Sequence, residues 1–565
     1  MARTVGIGIQ NFAKIITEDM FYIDKTGFIK EWWENGDDVT LITRPRRFGK
    51  TLNLNMLDYF FSSKHQNRSD LFEHLSIWQE EKYRNLQGTY PVISLSFANI
   101  KEDTFEGTKK RIYQIVLNLY EENRFLIKDG FLEGTEAEFF HSVNMGMDEQ
   151  TATLAVNKLC KFLYDYCGKK VIILLDEYDT PMQEAYVHGF WSELVAFTRS
   201  MFNATFKTNP YMERGLMTGI TRVSRESIFS DLNHLEVVTT TSDKYATSFG
   251  FTEEEVFAAL DECGLSTEKE EVKAWYDGFT FGKHTDIYNP WSVLNFLSNK
   301  KIDIYWANSS TNNLVGKLIR EGGKGIKTTF EKLLQGEVIQ CPIDEQIVYE
   351  QLGQRESAIW SLLMASGYLK VISRESITES DFANYPMYEL ALTNREVKRM
   401  FFIMVNSWFG RTEESYGEFI DALLEGDLEA MNAYLNDVTM EIFSYFDAGS
   451  KSVRSASEKF YHGFVLGLIV QLKEKYFITS NRESGYGRYD VMLEPKTEQR
   501  DALIIEFKVF NERKEKTLED TVEAALQQIE EKKYEAALNA REIQLDRIRK
   551  YGFAFEGKNV LIGEK

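Results

Sequence analysis

Two hydrophobic periods alternate along this chain. Val39 to Ile42 is a short apolar, β-branched run that stops at Arg44-Pro45; beyond a basic loop, Leu52, Met56, Leu57, Phe60 and Phe61 recur at helical spacing. Tyr90 to Phe97 alternates as a second strand, and helical periodicity then dominates from about Thr104 to Leu163, with breaks at Gly130, Gly134 and Gly146. Val171 to Leu175 is apolar without alternation, which predicts a strand buried on both faces, as in a parallel sheet covered by helices. Gly215 to Ile220 and Glu236 to Thr241 add two more strands, for a five-stranded α/β sheet.

From Phe251 the pattern changes to helices punctuated by aromatic residues, with Pro290 fitting the first turn of a helix through Leu297. Ile359 to Val371 reads as helix, turn and strand, a winged-helix pattern, and Tyr388 to Val397 as a strand followed by a capped helix. Ser407 to Phe446 is helical and acidic and reads as a spacer, with a boundary near Asp447 to Ser450. Beyond it come an aromatic helix from Glu458 to Leu472, strands around Asp490 to Leu493 and Ala502 to Val509, and a helix from Thr521 to Ala537. The expected division is residues 1–250 as core, 251–400 as helical lid and winged-helix-like region, 401–450 as helical spacer and 451–565 as a C-terminal domain.

A length of 565 residues predicts several domains, and 43% hydrophobic with 14% aromatic residues suffices to pack them. Eight prolines leave no Pro-rich linker. The net charge of −21 argues against a surface that coats nucleic acid non-specifically, while leaving room for a local basic groove. Cys160, Cys167, Cys263 and Cys341 have no C-x-x-C spacing and no nearby histidine, so they read as reduced core thiols rather than a disulfide frame or zinc site. MARTVGIGIQNF lacks the apolar core of a signal peptide, and no run reaches the length of a membrane span. The expectation is a cytoplasmic protein with no membrane partner, and a homo-oligomer is left open.

The chemistry starts at the first strand. Strand, tight loop, Gly49-Lys50-Thr51 and helix make a phosphate-binding loop, in which N–H groups at a helix start meet anionic oxygens. Lys50 would place its charge on the β- and γ-phosphates, and the Thr51 hydroxyl would ligate magnesium. The full pattern has glycine where this chain has Arg44. Asp176 and Glu177 follow the buried strand, where a carboxylate faces the cleft of an open sheet; Asp176 would hold magnesium and Glu177 would polarise the attacking water. After the next strand, Arg222 or Arg225 would reach the γ-phosphate or stand as a solvated loop cation. Arg46 and Arg47 can meet either ATP or the phosphates of a substrate.

A second constellation lies in the tail. In a strand, Glu506 and Lys508 share one face, with Ile504 beside them, while Ile505, Phe507 and Val509 take the other. Asp490, on the strand before, and Glu506 would hold a divalent cation through oxygen. Such a cation neutralises charge building on a phosphate. Lys508 would orient the attacking water or steady the scissile phosphate, and Glu458 on the preceding helix would add a further acid. Gln528 and Tyr534 either extend this site or lie on a solvated helix face.

The segments YIDKT, RPRRFGKT, ILLDEYDTP, TGITRVSRESIFSDLN, YNPWSVLNFL and the GRYD to IIEFKV tail together resemble bacterial AAA-ATPase-like proteins that carry a C-terminal PD-(D/E)XK nuclease domain. The resemblance spans nearly the whole chain. It implies a P-loop NTPase parallel-sheet core of the additional-strand class, a helical/winged-helix lid region and a C-terminal α/β restriction-endonuclease-like domain. It also implies that arginine stands in place of the loop's first glycine. Arg47, Gly49, Lys50, Thr51, Asp176 and Arg222 are then the nucleotide residues, with Glu177 catalytic. Asp490, Glu506 and Lys508 match the nuclease triad, with Glu458 as accessory acid; Tyr489 stands where the superfamily name has proline. The resemblance implies no substrate; taken with the two constellations, the expected cofactors are ATP and Mg2+, and the expected function is an ATP-dependent or ATP-gated nuclease that cleaves phosphodiester bonds, DNA ahead of RNA. The alternative is a nucleotide-dependent signalling switch whose tail binds nucleic acid or partners without cutting.

Overall fold

A computed structural model describes residues 3–565 apart from 208, 223–228, 230–231, 308–312, 322–323, 346–351, 353–354, 375–385, 408–412, 443–471, 473–474, 481–482, 485–486, 498, 512–513 and 557–558. The chain folds into two compact units, Met1–Leu318 with Gly336–Lys398, and Ile319–Gln335 with Arg399–Lys565.

The first unit is built on a five-stranded parallel sheet. Its strands are β1 (Val39–Thr43), β2 (Val92–Ser96), β3 (Val171–Asp176), β4 (Met212–Gly219) and β5 (Leu235–Val238), in the order β2-β3-β4-β1-β5. Every residue of β1 and β3 is buried, as the unalternating apolar runs predict. Strand β4 lies between β1 and β3, so the ends of the two predicted motif strands flank one inserted strand. Helix α1 (Lys50–Phe61) follows β1; α2 (Phe105–Glu122), α3 (Glu149–Cys167), α4 (Thr180–His188) and α5 (Trp191–Phe206) occupy the crossovers. Their starts and stops follow the sequence. Thr104 and Asp148 cap α2 and α3 through their side-chain oxygens, and Gly168 ends α3 in the left-handed conformation. Apolar faces of α2, α3 and α5 close over β1 to β4 in one core.

Two small antiparallel sheets follow. One is β6 (Phe251–Thr252), β7 (Phe279–Phe281) and β8 (His284–Tyr288), leading to helix α6 (Pro290–Asn299). The other is β9 (Ile339–Pro342), β10 (Leu369–Arg374) and β11 (Met387–Leu392). Helix α7 (Glu356–Ala365) precedes β10 and α8 (Arg395–Ser407) follows β11, the succession read from the pattern. At the α7–β10 turn, Gly367 has φ 86°, and a Cβ there would lie 2.8 Å from Pro45 of the phosphate loop. This region therefore packs directly on the loop.

In the second unit, strands β12 (Tyr476–Ser480), β15 (Val491–Pro495), β16 (Ala502–Val509), β17 (Ile548–Glu556) and β18 (Asn559–Glu564) form a sheet in that order. The short strands β13 (Glu483–Ser484) and β14 (Gly487–Arg488) pair separately. Only β16 and β17 run parallel, and the crossover between them carries α11 (Leu518–Lys532), started by a Thr517–Asp520 capping box. A Cβ on Gly552 would lie 2.9 Å from the Val522 carbonyl, so glycine lets α11 sit close on β17.

The acidic stretch expected as a spacer contains α9 (Glu413–Glu425) and α10 (Leu428–Ile442), and α10 packs on β18. Asn432 accepts from the Ile562 N–H (2.7 Å) and donates to its carbonyl (3.0 Å). Asn436 does the same with Val560 (2.9 and 2.7 Å). Four helix residues rise about 6 Å and two strand residues about 6.7 Å, so the two amides match alternate residues of the outer strand. Of the cysteines, Cys160 and Cys341 are buried as expected, but Cys167 is exposed and Cys263 half-buried; all four are free thiols.

Candidate functional sites

Helix α1 begins after Gly49, which has φ 81°, and Arg47 is also left-handed at φ 65°. Arg44 is not among the positive-φ residues, so the backbone does not require glycine there. Its side chain is fully buried. The guanidinium donates to the carbonyls of Thr239 (2.6 Å), Thr43 (3.0 Å) and Lys244 (3.3 Å) and lies 4.4 Å from the Phe281 ring centre. Burial pushes it down to about 9, against the pull of Glu31. The residue that breaks the motif is a strut under the loop.

Lys50 is buried, and its ammonium donates to the carbonyls of Arg44 (2.9 Å) and Pro45 (2.8 Å). Burial lowers its pKa, while Glu177 and Asp176 act to raise it. The Thr51 hydroxyl donates to one Asp176 oxygen at 2.7 Å, and Thr218 of β4 donates to the other at 2.6 Å. Burial raises the Asp176 carboxyl above its ordinary value against those two donors. Glu177 has φ 49°, a sparsely populated conformation for a residue with a side chain, and accepts from the Thr180 hydroxyl at 3.0 Å. Lys50, Thr51, Asp176 and Glu177 are thus brought together.

A cavity of about 610 Å³ opens above them. Its floor includes Arg46 to Asn53 and Glu177; its walls come from Gly8, Tyr22 and Lys25 near the N-terminus and from Trp291 and Leu294 on α6. The Arg47 guanidinium lies 4.2 Å from the Trp291 ring centre, and Arg46 donates to Gln183 at 3.2 Å. The Arg46 carbonyl accepts from the Trp306 indole (2.9 Å) and Asn289 (3.3 Å). Arg222 follows β4, half-buried and outside the cavity lining; Arg225 lies outside the described residues.

In the second unit, the β15–β16 ladder begins at Val491 opposite Ile505. Asp490 stands one residue ahead of β15 rather than on it. Where the ladder stops, its carboxylate accepts the Phe507 N–H at 2.9 Å, which holds it beside Glu506. Glu506 is buried and Lys508 half-buried. Gln528 on α11 links them: its amide oxygen accepts from Lys508 at 2.6 Å, and its nitrogen donates to Glu506 and, at 3.1 Å, to the Tyr534 hydroxyl. Burial raises the Tyr534 pKa, and the charges of Glu506 and Asp490 act in the same direction. Asp490, Glu506 and Lys508 therefore meet at one point, with Gln528 and Tyr534 beside them. Glu458 lies outside the described residues.

Residues 6–229 match the family described as predicted AAA-ATPase, and residues 456–565 match the PD-(D/E)XK nuclease superfamily. The chain joins an AAA-ATPase-like domain to a PD-(D/E)XK nuclease superfamily domain. An uncharacterized protein in the vnfD 5′ region of Azotobacter chroococcum mcd 1 is 24% identical over 403 residues, covering 70% of this chain and 68% of that one. The Aeropyrum pernix ORC2 protein (ADPNP-ADP complexes) aligns over 66% of this chain and 91% of that chain at 10% identity, with a TM-score of 0.24. That score is too low for a shared fold to be argued from it.

Among the described residues no three His, Cys, Asp or Glu side chains gather as a metal-binding group. The donor sets are instead sparse and oxygen-based, Thr51 with Asp176 in the AAA-ATPase-like domain and Asp490 with Glu506 in the nuclease superfamily domain. That is the set magnesium uses when it keeps several waters and shares phosphate oxygens. No helix among the described residues is long and apolar enough to cross a membrane. Thr218 and Trp291 are the participants that sequence reasoning missed. A threonine inside the apolar run of β4 is a signal for the first, whereas a tryptophan at a helix start distinguishes nothing by itself.

Proposed function

We propose that the first unit binds ATP with magnesium and hydrolyses it, and that this cycle gates cleavage of phosphodiester bonds, DNA ahead of RNA, by the second unit. The observation that carries the reading is the juxtaposition in one cleft of Lys50, the 2.7 Å Thr51–Asp176 pair and Glu177 beneath a cavity of nucleotide size. Loop N–H groups and Lys50 receive the β- and γ-phosphates. Trp291 and Tyr22 line the cavity and offer aromatic rings on which a planar base would stack. Water adds to the γ-phosphorus, the bond to the bridging oxygen of ADP breaks, and Glu177 accepts the proton of the water. Magnesium, when held through Thr51 and Asp176, supplies charge neutralisation on the phosphates.

In the second unit Lys508 orients the attacking water on the scissile phosphorus while Gln528 holds Lys508 and Glu506 in register. Water adds to the phosphorus and releases a proton to solvent, one P–O ester bond breaks, and the leaving oxygen takes a proton from solvent. Asp490 and Glu506 would hold magnesium there. The first test is ATP binding to the full chain and to Lys50→Ala, with loss of at least about tenfold in affinity expected. The second is cleavage of DNA and RNA in magnesium with and without ATP, which Glu506→Ala and Lys508→Ala should abolish. A wild type that binds ATP and cuts neither nucleic acid would instead support a switch whose tail binds without cleaving.

A further inference from the structure

The acid run after β3 contains a second aspartate, Asp179, that the nucleotide reading does not use. Asp179 is fully buried, and three donors converge on its Oδ2: the N–H of Ile220 at 3.0 Å, and the N–H and hydroxyl of Thr221, each at 2.8 Å. Its neighbour Tyr178 binds the same place from the other side. The Tyr178 hydroxyl donates to the Thr221 carbonyl at 2.8 Å, and its N–H donates to the Thr218 carbonyl at 3.0 Å. Gly219 lies against both; a Cβ there would stand 2.6 Å from the Tyr178 ring and 2.8 Å from Asp179 Oδ1. The turn after β3 and the exit of β4 are therefore stapled into one piece.

Glu177 is the first residue of that turn, and its φ of 49° persists only where the surroundings over-determine it. Asp176 in front is fixed by Thr51 and Thr218, while Tyr178 and Asp179 behind are fixed by residues 218–221. Glu177 lines the cavity.

We propose that Asp179 is a positioning residue that holds Glu177 aimed at the γ-phosphate end of the cavity by stapling its turn to the end of β4. The inference rests on the nucleotide reading above. Without the staple, two buried N–H groups lose their acceptor, the β4 exit shifts, and Glu177 relaxes from its left-handed conformation. Proton acceptance from the attacking water then fails, although the hydrogen bonds that hold Lys50 to the Arg44 and Pro45 carbonyls do not involve Asp179.

The test uses the full chain with magnesium, ADP and ATP. Asp179→Ala is expected to bind ADP within about twofold of wild type but to cleave ATP in a single turnover about a hundredfold more slowly, the scale on which a misplacement of about 1 Å acts. Asp179→Asn keeps one acceptor oxygen and should recover most of that rate. Adding Asp179→Ala to Glu177→Gln should bring no further loss, because the two residues act as a unit. Loss of ADP affinity in step with the rate, or losses that multiply in the double variant, would overturn the proposal. If wild type binds ATP without cleaving it, Asp179→Ala should lose its preference for ATP over ADP several-fold; an unchanged preference overturns the proposal. A wild type that binds nucleotide no better than Lys50→Ala refutes the nucleotide site itself, a failure visible before Asp179 is changed.

Discussion

Restoring the glycine of the phosphate-loop pattern should damage this protein. In Arg44→Gly the carbonyls of Thr43, Thr239 and Lys244 lose their donor, and the Phe281 ring loses the cation 4.4 Å from its centre. Two buried carbonyls at about 2 kcal/mol each and a part-buried one at about 1 kcal/mol, with about 1–2 kcal/mol for the ring contact, stand against the relief of a desolvated guanidinium. A pKa pushed from 12.5 to about 9 puts that relief at roughly 5 kcal/mol. The difference favours arginine by about 1–2 kcal/mol. Urea unfolding of the full chain, followed by tryptophan emission, should show a lower midpoint. ATP affinity should fall with it, because the Arg44 and Pro45 carbonyls that receive Lys50 are carried on this strut. If Arg44→Gly unfolds no earlier than wild type and binds ATP equally well or better, Arg44 is merely a lost glycine and the reasoning is refuted.

Gln528→Ala should slow nucleic-acid cleavage about 10–100-fold, as loss of a group that orients active-site ligands typically does, and thermal unfolding should confirm that the fold survives. Trp291→Ala should weaken ATP by about tenfold through lost stacking, measured by calorimetry, and leave the urea midpoint nearly unchanged. Burial, reinforced by the neighbouring Asp286, pushes the Asp277 carboxyl up to about 7. The folded state then holds a proton that the unfolded chain releases near the ordinary 3.8. The resulting stability is fully present below pH 3.8 and is lost as pH rises through about 7, at most about 4 kcal/mol. Urea midpoints measured from pH 4 to 8 should fall with rising pH, and less steeply in Asp277→Asn.

Much of this was legible because the informative residues are local. Buried strands announce themselves as Val39 to Ile42 and Val171 to Leu175, and charged residues at their ends have few places to point. Glu506 and Lys508 share a face by strand geometry alone, and the reach of Gln528 to both confirms that face. Other features depend on partners far away in sequence. Arg44 looks like a defect until Thr239 and Lys244, some two hundred residues on, supply its acceptors. The cavity walls join residues near 8 and 22 to residues near 291, a pairing that no local pattern encodes. Gln527 and Gln528 are indistinguishable in sequence, yet one bonds Glu531 on the exposed face and the other reaches into the site, a difference made by one step of helix rotation.

The asparagine pair on α10 bears on how the nuclease superfamily domain can be isolated. The family match starts at 456, but the outer edge of β18 is sealed by Asn432 and Asn436, which lie before it. A fragment cut at 456 would retain Asp490, Glu506 and Lys508 yet bare the N–H and C=O groups of Val560 and Ile562. Such a rim is a template for another strand, and molecules carrying it join edge to edge. Light scattering should find residues 456–565 self-associating and residues 413–565, which begin at α9, dispersed, and Asn432→Ala with Asn436→Ala should give the longer fragment the shorter one's stickiness. For this domain, solubility is written into a helix that lies outside its sequence signature.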